Sequence, residues 1–158
     1  KFKPSVLEDI SNYYPYFVKE GERPDIVSHA QYGTVGYAYL IMLVNDIYDP
    51  NFDWPLSSQI FEKFIINKYG SVTLAIAGVK NYYQIVRAEV ARTGTSERVP
   101  EVKFAVDETT FNALDSGDRS TLSDYDHEVE LNDAKREIRL INPSFIRDID
   151  YQVKLSLK

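Results

Sequence analysis

An eight-residue run of apolar and aromatic side chains, YAYLIMLV at residues 37–44, constrains the fold of this chain more than any other segment. Gly36 precedes the run and Asn45 follows it. In a helix, these residues would cover nearly the whole circumference with apolar surface, and such a helix is stable only when other elements bury it. The run is too short to cross a bilayer, which takes about 20 residues. We therefore expect a buried helix within a soluble globular domain.

Helical and extended patterns alternate along the first half of the chain, which predicts an α+β fold. Residues 13–18 are aromatic and β-prone, but Pro15 restricts them to an edge strand or an extended arm. Residues 25–32 are typical of a short helix that Gly33 ends, and a longer helix is expected from a cap at Ser57 or Ser58 to Tyr69. The expected inner faces are Ile26 and Ala30 on the short helix, and Ile60, Phe61, Phe64 and Ile65 on the longer one.

The second half begins with an ambiguous segment, residues 71–83, for which we favour a helix. From Ile85 apolar and polar residues alternate, which predicts an antiparallel hairpin over about 85–106. The acidic stretch 107–124 is expected to be mostly loop. A polar helix at 125–136, a strand at 137–141 and a closing C-terminal helix follow. The predicted inner face of this closing helix is Phe145, Ile149, Val153 and Leu157. We place the domain division at 1–70 and 71–158.

Charge and composition exclude several classes of function. The chain has 24 acidic and 18 basic residues, a net charge of −6, and residues 107–128 alone hold seven acids and one arginine. No cluster of lysine and arginine is present to follow a phosphate backbone, so we expect no nucleic acid partner. The chain has no cysteine, which excludes thiol catalysis and cysteine-ligated zinc. We expect no membrane partner either.

Catalytic and metal-binding patterns are also missing from the sequence. His29 is next to Ser28, but adjacent residues of a helix do not face each other. DYDHE at 124–128 resembles the start of a calcium-binding loop, yet Val129 and Lys135 stand where glycine and glutamate are needed. The aspartates after the apolar run fit turn chemistry, and they are Asp46, Asp49 and Asp53. We expect no enzyme activity, no metal and no cofactor.

Three motifs, in this order and spacing, carry a family resemblance. They are RPDIVSHAQYG at 23–33, YAYLIMLVNDIYDPNFDWPLS at 37–57 and FEKFIINKYG at 61–70, with a weaker similarity in LNDAKREIRLINPSFI at 131–146. The chain resembles the LysM-like baseplate wedge proteins of T-even-type contractile-tailed bacteriophages. The resemblance implies a structural protein of the virion tail baseplate, assembled in the host cytoplasm. It also implies contacts with other wedge and hub proteins, in multiple copies per particle, that join neighbouring wedges around the hub.

The same resemblance implies a small LysM-like β-α-α-β unit, with residues 13–18 as its first strand and 25–32 and 37–45 as its helices. LysM modules bind N-acetylglucosamine chains through the loops before the first helix and after the second. Those loops are residues 21–26 and 45–54 here. After Trp54 the chain enters a helix where the usual module has its closing strand, which favours a protein partner over a glycan. A peptidoglycan-binding module is the alternative.

The candidate interface or ligand residues are aromatic and polar side chains of the N-terminal strand, the helix ends and the loop after the apolar run. They are Tyr13, Tyr14, Tyr16, Tyr32, Asn45, Tyr48, Asp49, Phe52 and Trp54. Aromatic residues are enriched where proteins meet proteins, and their faces also suit sugar rings. Three interpretations stay open for the aromatic residues that flank the run: packing onto the core, contact with a neighbouring subunit, or sugar binding.

Overall fold

The structure is a computed structural model that describes residues 12–92, 94 and 97–156. The chain divides into unit 1, residues 1–61 and 131–158, and unit 2, residues 62–130. Helices and two antiparallel sheets alternate, so the predicted α+β class is confirmed. The boundary expected at residue 70 coincides with neither division point, and the domain assignment 1–70 and 71–158 stays a prediction. No helix in the described part of the chain is long and apolar enough to span a membrane.

The elements of unit 1 include two strands that are far apart in the chain. The strands are β1 (Tyr13–Phe17) and β5 (Glu137–Ile141). The helices are α1 (Pro24–Tyr32), α2 (Ala38–Val44) and α7 (Ile146–Ser156), with a 3₁₀ turn at Val35–Tyr37 before α2. Two more helices, α3 (Ser58–Tyr69) and α6 (Asp124–Ala134), each have one end in unit 1 and the other in unit 2.

Pairing of β1 with β5 accommodates the proline that the sequence places in β1. Pro15 lies opposite Arg139 in the antiparallel register. The backbone N–H and C=O of Arg139 bond instead to the side-chain amide of Asn45, each at 2.8 Å. Since both groups point away from β1, Pro15 occupies a non-hydrogen-bonded pair, and its missing N–H removes no bond of the sheet. Asn45 thereby joins the end of α2 to β5.

The apolar run at residues 37–44 packs against the core, with three of its side chains buried and the other five half-buried. Leu40, Ile41 and Val44 of α2 are all buried. Two apolar clusters meet α2, one with Ile141, Ile146, Ile149 and Val153, the other with Val18, Val27, Trp54, Ile138 and Leu140. Each full burial of such an aliphatic side chain contributes about 1.5–3 kcal/mol. This core holds the sheet and the helices of unit 1 together.

The predicted inner face of α1 needs correction. On α1, Ile26 and Ala30 are exposed and the buried residues are Val27 and Ser28. One position along a helix is a rotation of about 100°, so Val27 faces the core and Ile26 faces outward. The predicted end of this helix is confirmed, because Gly33 adopts the left-handed φ of 74° and bonds back to His29.

The inner faces of α3 and α7 are also partly different. On α3, Phe61 and Ile65 are buried but Ile60 is exposed. On α7 the buried residues are Ile146, Ile149 and Val153, at spacings of three and four. Phe145, which was expected to face inward, precedes the first turn and is exposed, because the helix starts one residue later. Leu157 lies outside the described residues.

Unit 2 contains a three-stranded antiparallel sheet in the order β3-β2-β4. The strands are β2 (Val79–Arg87), β3 (Val102–Val106) and β4 (Arg119–Ser123), with helices α4 (Val72–Ala77) and α5 (Glu108–Ala113). The predicted hairpin is present, and it begins earlier than expected. Helix α4 ends at Gly78, so the helix favoured for residues 71–83 is wrong from Val79 onward.

The acidic stretch predicted as a loop forms α5 and β4 instead. The side chain of Asp107 accepts a hydrogen bond from the backbone N–H of Thr110 at 3.0 Å and so caps α5. Phe111 of α5 packs on Tyr82 of β2, with ring centroids 4.8 Å apart, and the Arg119 guanidinium lies 4.9 Å from the centre of the Phe111 ring. These contacts hold in place a segment that was expected to be mostly loop.

Candidate partner-binding surface

The segment after α2, which we call the aromatic loop (residues 45–57), contains the strongest candidates from the sequence. Trp54 anchors this loop to the core. Its ring is only 4% exposed and packs in the core with Val27 and Leu140. Its indole N–H donates to the backbone carbonyl of Glu22 at 2.7 Å. Of the three interpretations of Trp54, the geometry therefore favours packing of the loop onto the core.

Residues far along the chain hold the rest of the aromatic loop. The side-chain amide of Asn132 accepts from the N–H of Leu56 at 2.7 Å and donates to its carbonyl at 3.1 Å. Lys135 donates to the carbonyl of Phe52 at 2.7 Å. Just beyond the loop, the Glu20 carboxylate accepts from the backbone N–H of Ser58 at 2.6 Å, at the start of α3. The loop therefore has one defined backbone path.

Aspartate carboxylates accept hydrogen bonds from N–H groups within the loop, as turn chemistry predicts. The carboxylate of Asp53 accepts the backbone N–H groups of Asp49 at 3.0 Å and Tyr48 at 2.9 Å. These hydrogen bonds hold the pKa of Asp53 below its usual value. Asp49 in turn accepts both the backbone and the side-chain N–H of Asn51. Each carboxylate thus has a structural role in the turn.

Two aromatic residues of this fixed loop face outward. Tyr48 is 66% exposed and Phe52 is 69% exposed. Both lie within the segment that Asp53, Lys135 and Trp54 hold in place. Large aromatic side chains on a preorganised backbone lose little entropy on binding, and such residues supply much of the energy at protein interfaces. The loop therefore combines a buried anchor with two exposed aromatic contacts.

A groove of about 560 Å³ lies beside the loop, in unit 1. Its walls come from the segment before α1 and from the aromatic loop, with α2 and α3 contributing side chains. The apolar lining residues are Pro24, Ala38, Met42, Pro50, Trp54, Pro55, Leu56 and Ile60. Because the hydrogen bond from Trp54 to Glu22 joins the two walls, the groove is held open by the fold itself.

The remaining candidate residues mostly serve the internal structure of unit 1. Tyr14 donates to Gln31 at 2.9 Å, and Tyr32 donates to the carbonyl of Ile141 at 2.8 Å. Tyr16 donates to the Glu22 carboxylate at 2.8 Å, and burial together with this carboxylate raises the pKa of Tyr16 to about 12. Tyr13 packs on the core, with the Arg139 guanidinium 5.6 Å from its ring centre. Asn45 pairs with the backbone of β5, as described above. Their roles at an interface stay predictions.

Several residues that define this surface were missed by sequence reasoning. Asn132 and Lys135 reach the loop across 76 and 83 residues, and no local pattern encodes such a pairing. Ile26 and Ile60 were assigned to the core, yet both are exposed, and Ile60 lines the groove. The sequence did contain a signal for their exposure, because these helices carry more apolar residues than one inner face of a short helix can bury.

Catalytic chemistry gains no support from the geometry. Glu128 is the buried carboxylate of unit 2, and it accepts from the Lys68 ammonium at 2.7 Å and the Tyr69 hydroxyl at 2.8 Å. Such an arrangement satisfies a buried charge and needs no substrate. Within the described ranges, no group of three or more histidine, aspartate or glutamate residues is arranged to hold a metal ion.

Comparison with known proteins gives two findings. A family model described as Base plate wedge protein 53 matches residues 7–151, well over half of the chain. The chain is also similar to "Baseplate wedge protein gp53" of Enterobacteria phage T4, with 32% identity over 57 residues. That alignment covers 36% of this chain and 29% of the T4 protein, so the chain matches less than a third of that relative's length.

Proposed function

Since the chain belongs to the Base plate wedge protein 53 family, we propose that it joins neighbouring wedges of a phage tail baseplate through protein–protein contacts. The family is one of structural baseplate proteins. The observation that carries the proposal is the pair of exposed aromatic residues, Tyr48 and Phe52, on a loop that the core and distant side chains hold in place. Aromatic anchors of this kind suit a permanent assembly, whose interfaces bury more apolar surface than transient ones.

A LysM-like character of unit 1 is part of this proposal. Its support is the order β1, α1, α2, β5, with the two strands paired antiparallel. In this arrangement β5 takes the place of the closing strand that the sequence lacks directly after Trp54, and it lies more than 80 residues further along. The intervening residues would form an insertion into the unit. In this interpretation the module serves as a scaffold for protein contacts.

Peptidoglycan binding is the second candidate function. It is favoured by one observation, namely that the two loops which bind glycans in LysM modules line a single groove here. The burial of Trp54 speaks against it, because a ring that is packed in the core offers no face for a sugar. We therefore place assembly first.

The test mixes the purified chain with the other baseplate wedge proteins of the same phage and measures particle mass by native mass spectrometry. We expect the chain to join a complex in a fixed ratio with these proteins. A parallel titration with chito-oligosaccharides, followed by the emission of the single tryptophan, tests the second candidate. If the chain stays monomeric with every wedge protein and binds the sugar instead, the assembly function is wrong.

A further inference from the structure

We propose that the groove beside the aromatic loop binds an extended segment of a partner protein that carries lysine or arginine next to apolar or aromatic side chains. This inference rests on the assembly function proposed above, because it names the kind of contact that one surface makes. It goes further in assigning a site and a chemistry to the partner.

The shape of the groove is the first argument. Three prolines, Pro24, Pro50 and Pro55, stand in its walls, and they restrict the backbone on both sides. The two walls are joined by the hydrogen bond from Trp54 to Glu22, and Glu20 fixes the start of α3 at Ser58. A groove that keeps its shape without a ligand costs little to occupy.

Apolar side chains are the second argument. Met42 and Ile60 line the groove, and Ile60 is 55% exposed. Ile26 and Phe52, which follow the lining residues Asp25 and Asn51 in the chain, are also exposed. Exposed apolar patches with a polar rim mark sites of protein interaction more often than chance. An apolar or aromatic side chain of the partner would bury this surface.

The charge around the groove is the third argument, because it favours a basic partner segment. Residues 24–54 include four aspartates and neither lysine nor arginine. The groove lining holds two acids, Glu22 and Asp25, and one base, Arg23, which leaves a net charge of −1. Asp49 and Asp53 add two more acids in the aromatic loop that forms one wall. Arg23 is already paired with Asp25 at 2.5 Å, and Lys135 bonds to the carbonyl of Phe52. A basic segment complements this rim, and an acidic one is repelled.

The experiment screens short overlapping peptides that cover the sequences of the other wedge proteins of the same phage. Binding is followed by the emission of Trp54, which lines the groove and is the only tryptophan in the chain. We expect saturable binding by peptides that combine basic and apolar residues. The affinity should fall as salt rises from about 0.05 M to about 0.5 M, because screening weakens exposed charge pairs.

Two matched variants locate the binding. Ile60→Lys places a positive charge in the groove and should weaken peptide binding about tenfold or more. Ile66→Lys makes the same change at another exposed position of α3, 42% exposed and absent from the groove lining, and should leave the affinity unchanged. Because both positions are exposed, we expect both variants to fold, and circular dichroism checks this.

The outcomes separate this inference from the assembly function. If no peptide binds, if both variants bind equally well, or if chito-oligosaccharides alone change the emission of Trp54, the inference is overturned. If Ile60→Lys also joins the wedge complex as well as the unchanged chain does, the groove is not the contact, although assembly stands. Failure of the unchanged chain to join any complex refutes the assembly function itself.

Discussion

Unit 1 and unit 2 bury their apolar residues very differently. Of the fifteen apolar residues that are buried in the described chain, thirteen belong to unit 1, and two, Ile65 and Ala75, belong to unit 2. The strands of unit 2 have half-buried and exposed residues throughout, whereas β5 of unit 1 has three buried ones. Unit 1 is therefore stabilised mainly by its core, and this core is what allows its loop to present exposed aromatic side chains in a fixed position.

The largest effect is expected from the core of unit 1. Leu140 of β5 is fully buried among Val18, Val27 and Trp54. Leu140→Ala should lower the free energy of unfolding by about 2–5 kcal/mol, through lost burial and the cavity that remains. Urea denaturation followed by circular dichroism measures the change. A loss below about 0.5 kcal/mol, the range of surface substitutions, would contradict the importance of this core.

An intermediate effect is expected at the buried carboxylate of unit 2. Glu128→Gln should cost about 1–3 kcal/mol at neutral pH, because the ion pair with the Lys68 ammonium becomes a hydrogen bond to a neutral amide. The exposed Glu130 provides the matched control, and Glu130→Gln should have little effect. Thermal unfolding at neutral pH compares the two variants.

The same residue predicts a pH dependence. Burial alone raises the pKa of Glu128, but the hydrogen bonds from Lys68 and Tyr69 outweigh it, so the pKa is lowered. A lowered folded-state pKa means that the stabilisation is present above the unfolded value, about 4.3, and is lost as the pH falls below it. The unchanged chain should lose stability in this acidic range, and Glu128→Gln should lose less. Parallel curves for both would show that Glu128 is not the group responsible.

The smallest effect is expected on the sheet of unit 2. Phe104 of β3 is 60% exposed. Phe104→Ala should change the free energy of unfolding by no more than about 0.5 kcal/mol, as is usual for surface positions. Urea denaturation alongside Leu140→Ala gives the direct contrast. A cost as large as that of Leu140→Ala would remove the difference between the two units.

Local signals in the sequence predicted much of this fold. The limits of β5, the end of α3, the glycine that ends α1 and the packing of α2 on the core all follow from residues close in the chain. The acidic stretch was misjudged because its many charges concealed the aspartate cap of α5 and the strand that pairs with β2. An acidic composition indicates that a segment is exposed to solvent, but it does not predict whether the backbone forms a helix, a strand or a loop.

The candidate surface depended on contacts that no local pattern shows. Sequence reasoning identified the aromatic loop but left the roles of Tyr48, Phe52 and Trp54 open. Trp54 became an anchor because the Glu22 carbonyl lies within reach of its indole, across 32 residues. Asn132 meets Leu56 across 76 residues. These hydrogen bonds join residues far apart in the sequence, as does the pairing of β1 with β5, which lies near the other end of the chain.

The most direct test of the account measures how tightly a Tyr48→Ala/Phe52→Ala double variant binds the complex of wedge proteins. Both side chains are exposed, so the free energy of unfolding should stay within about 0.5 kcal/mol of the unchanged chain. We predict that the dissociation constant rises at least about tenfold, as for the loss of interface anchors. Tyr151→Ala, on the exposed side of α7, is the control and should bind normally. Equal binding by the double variant and the unchanged chain would contradict the account.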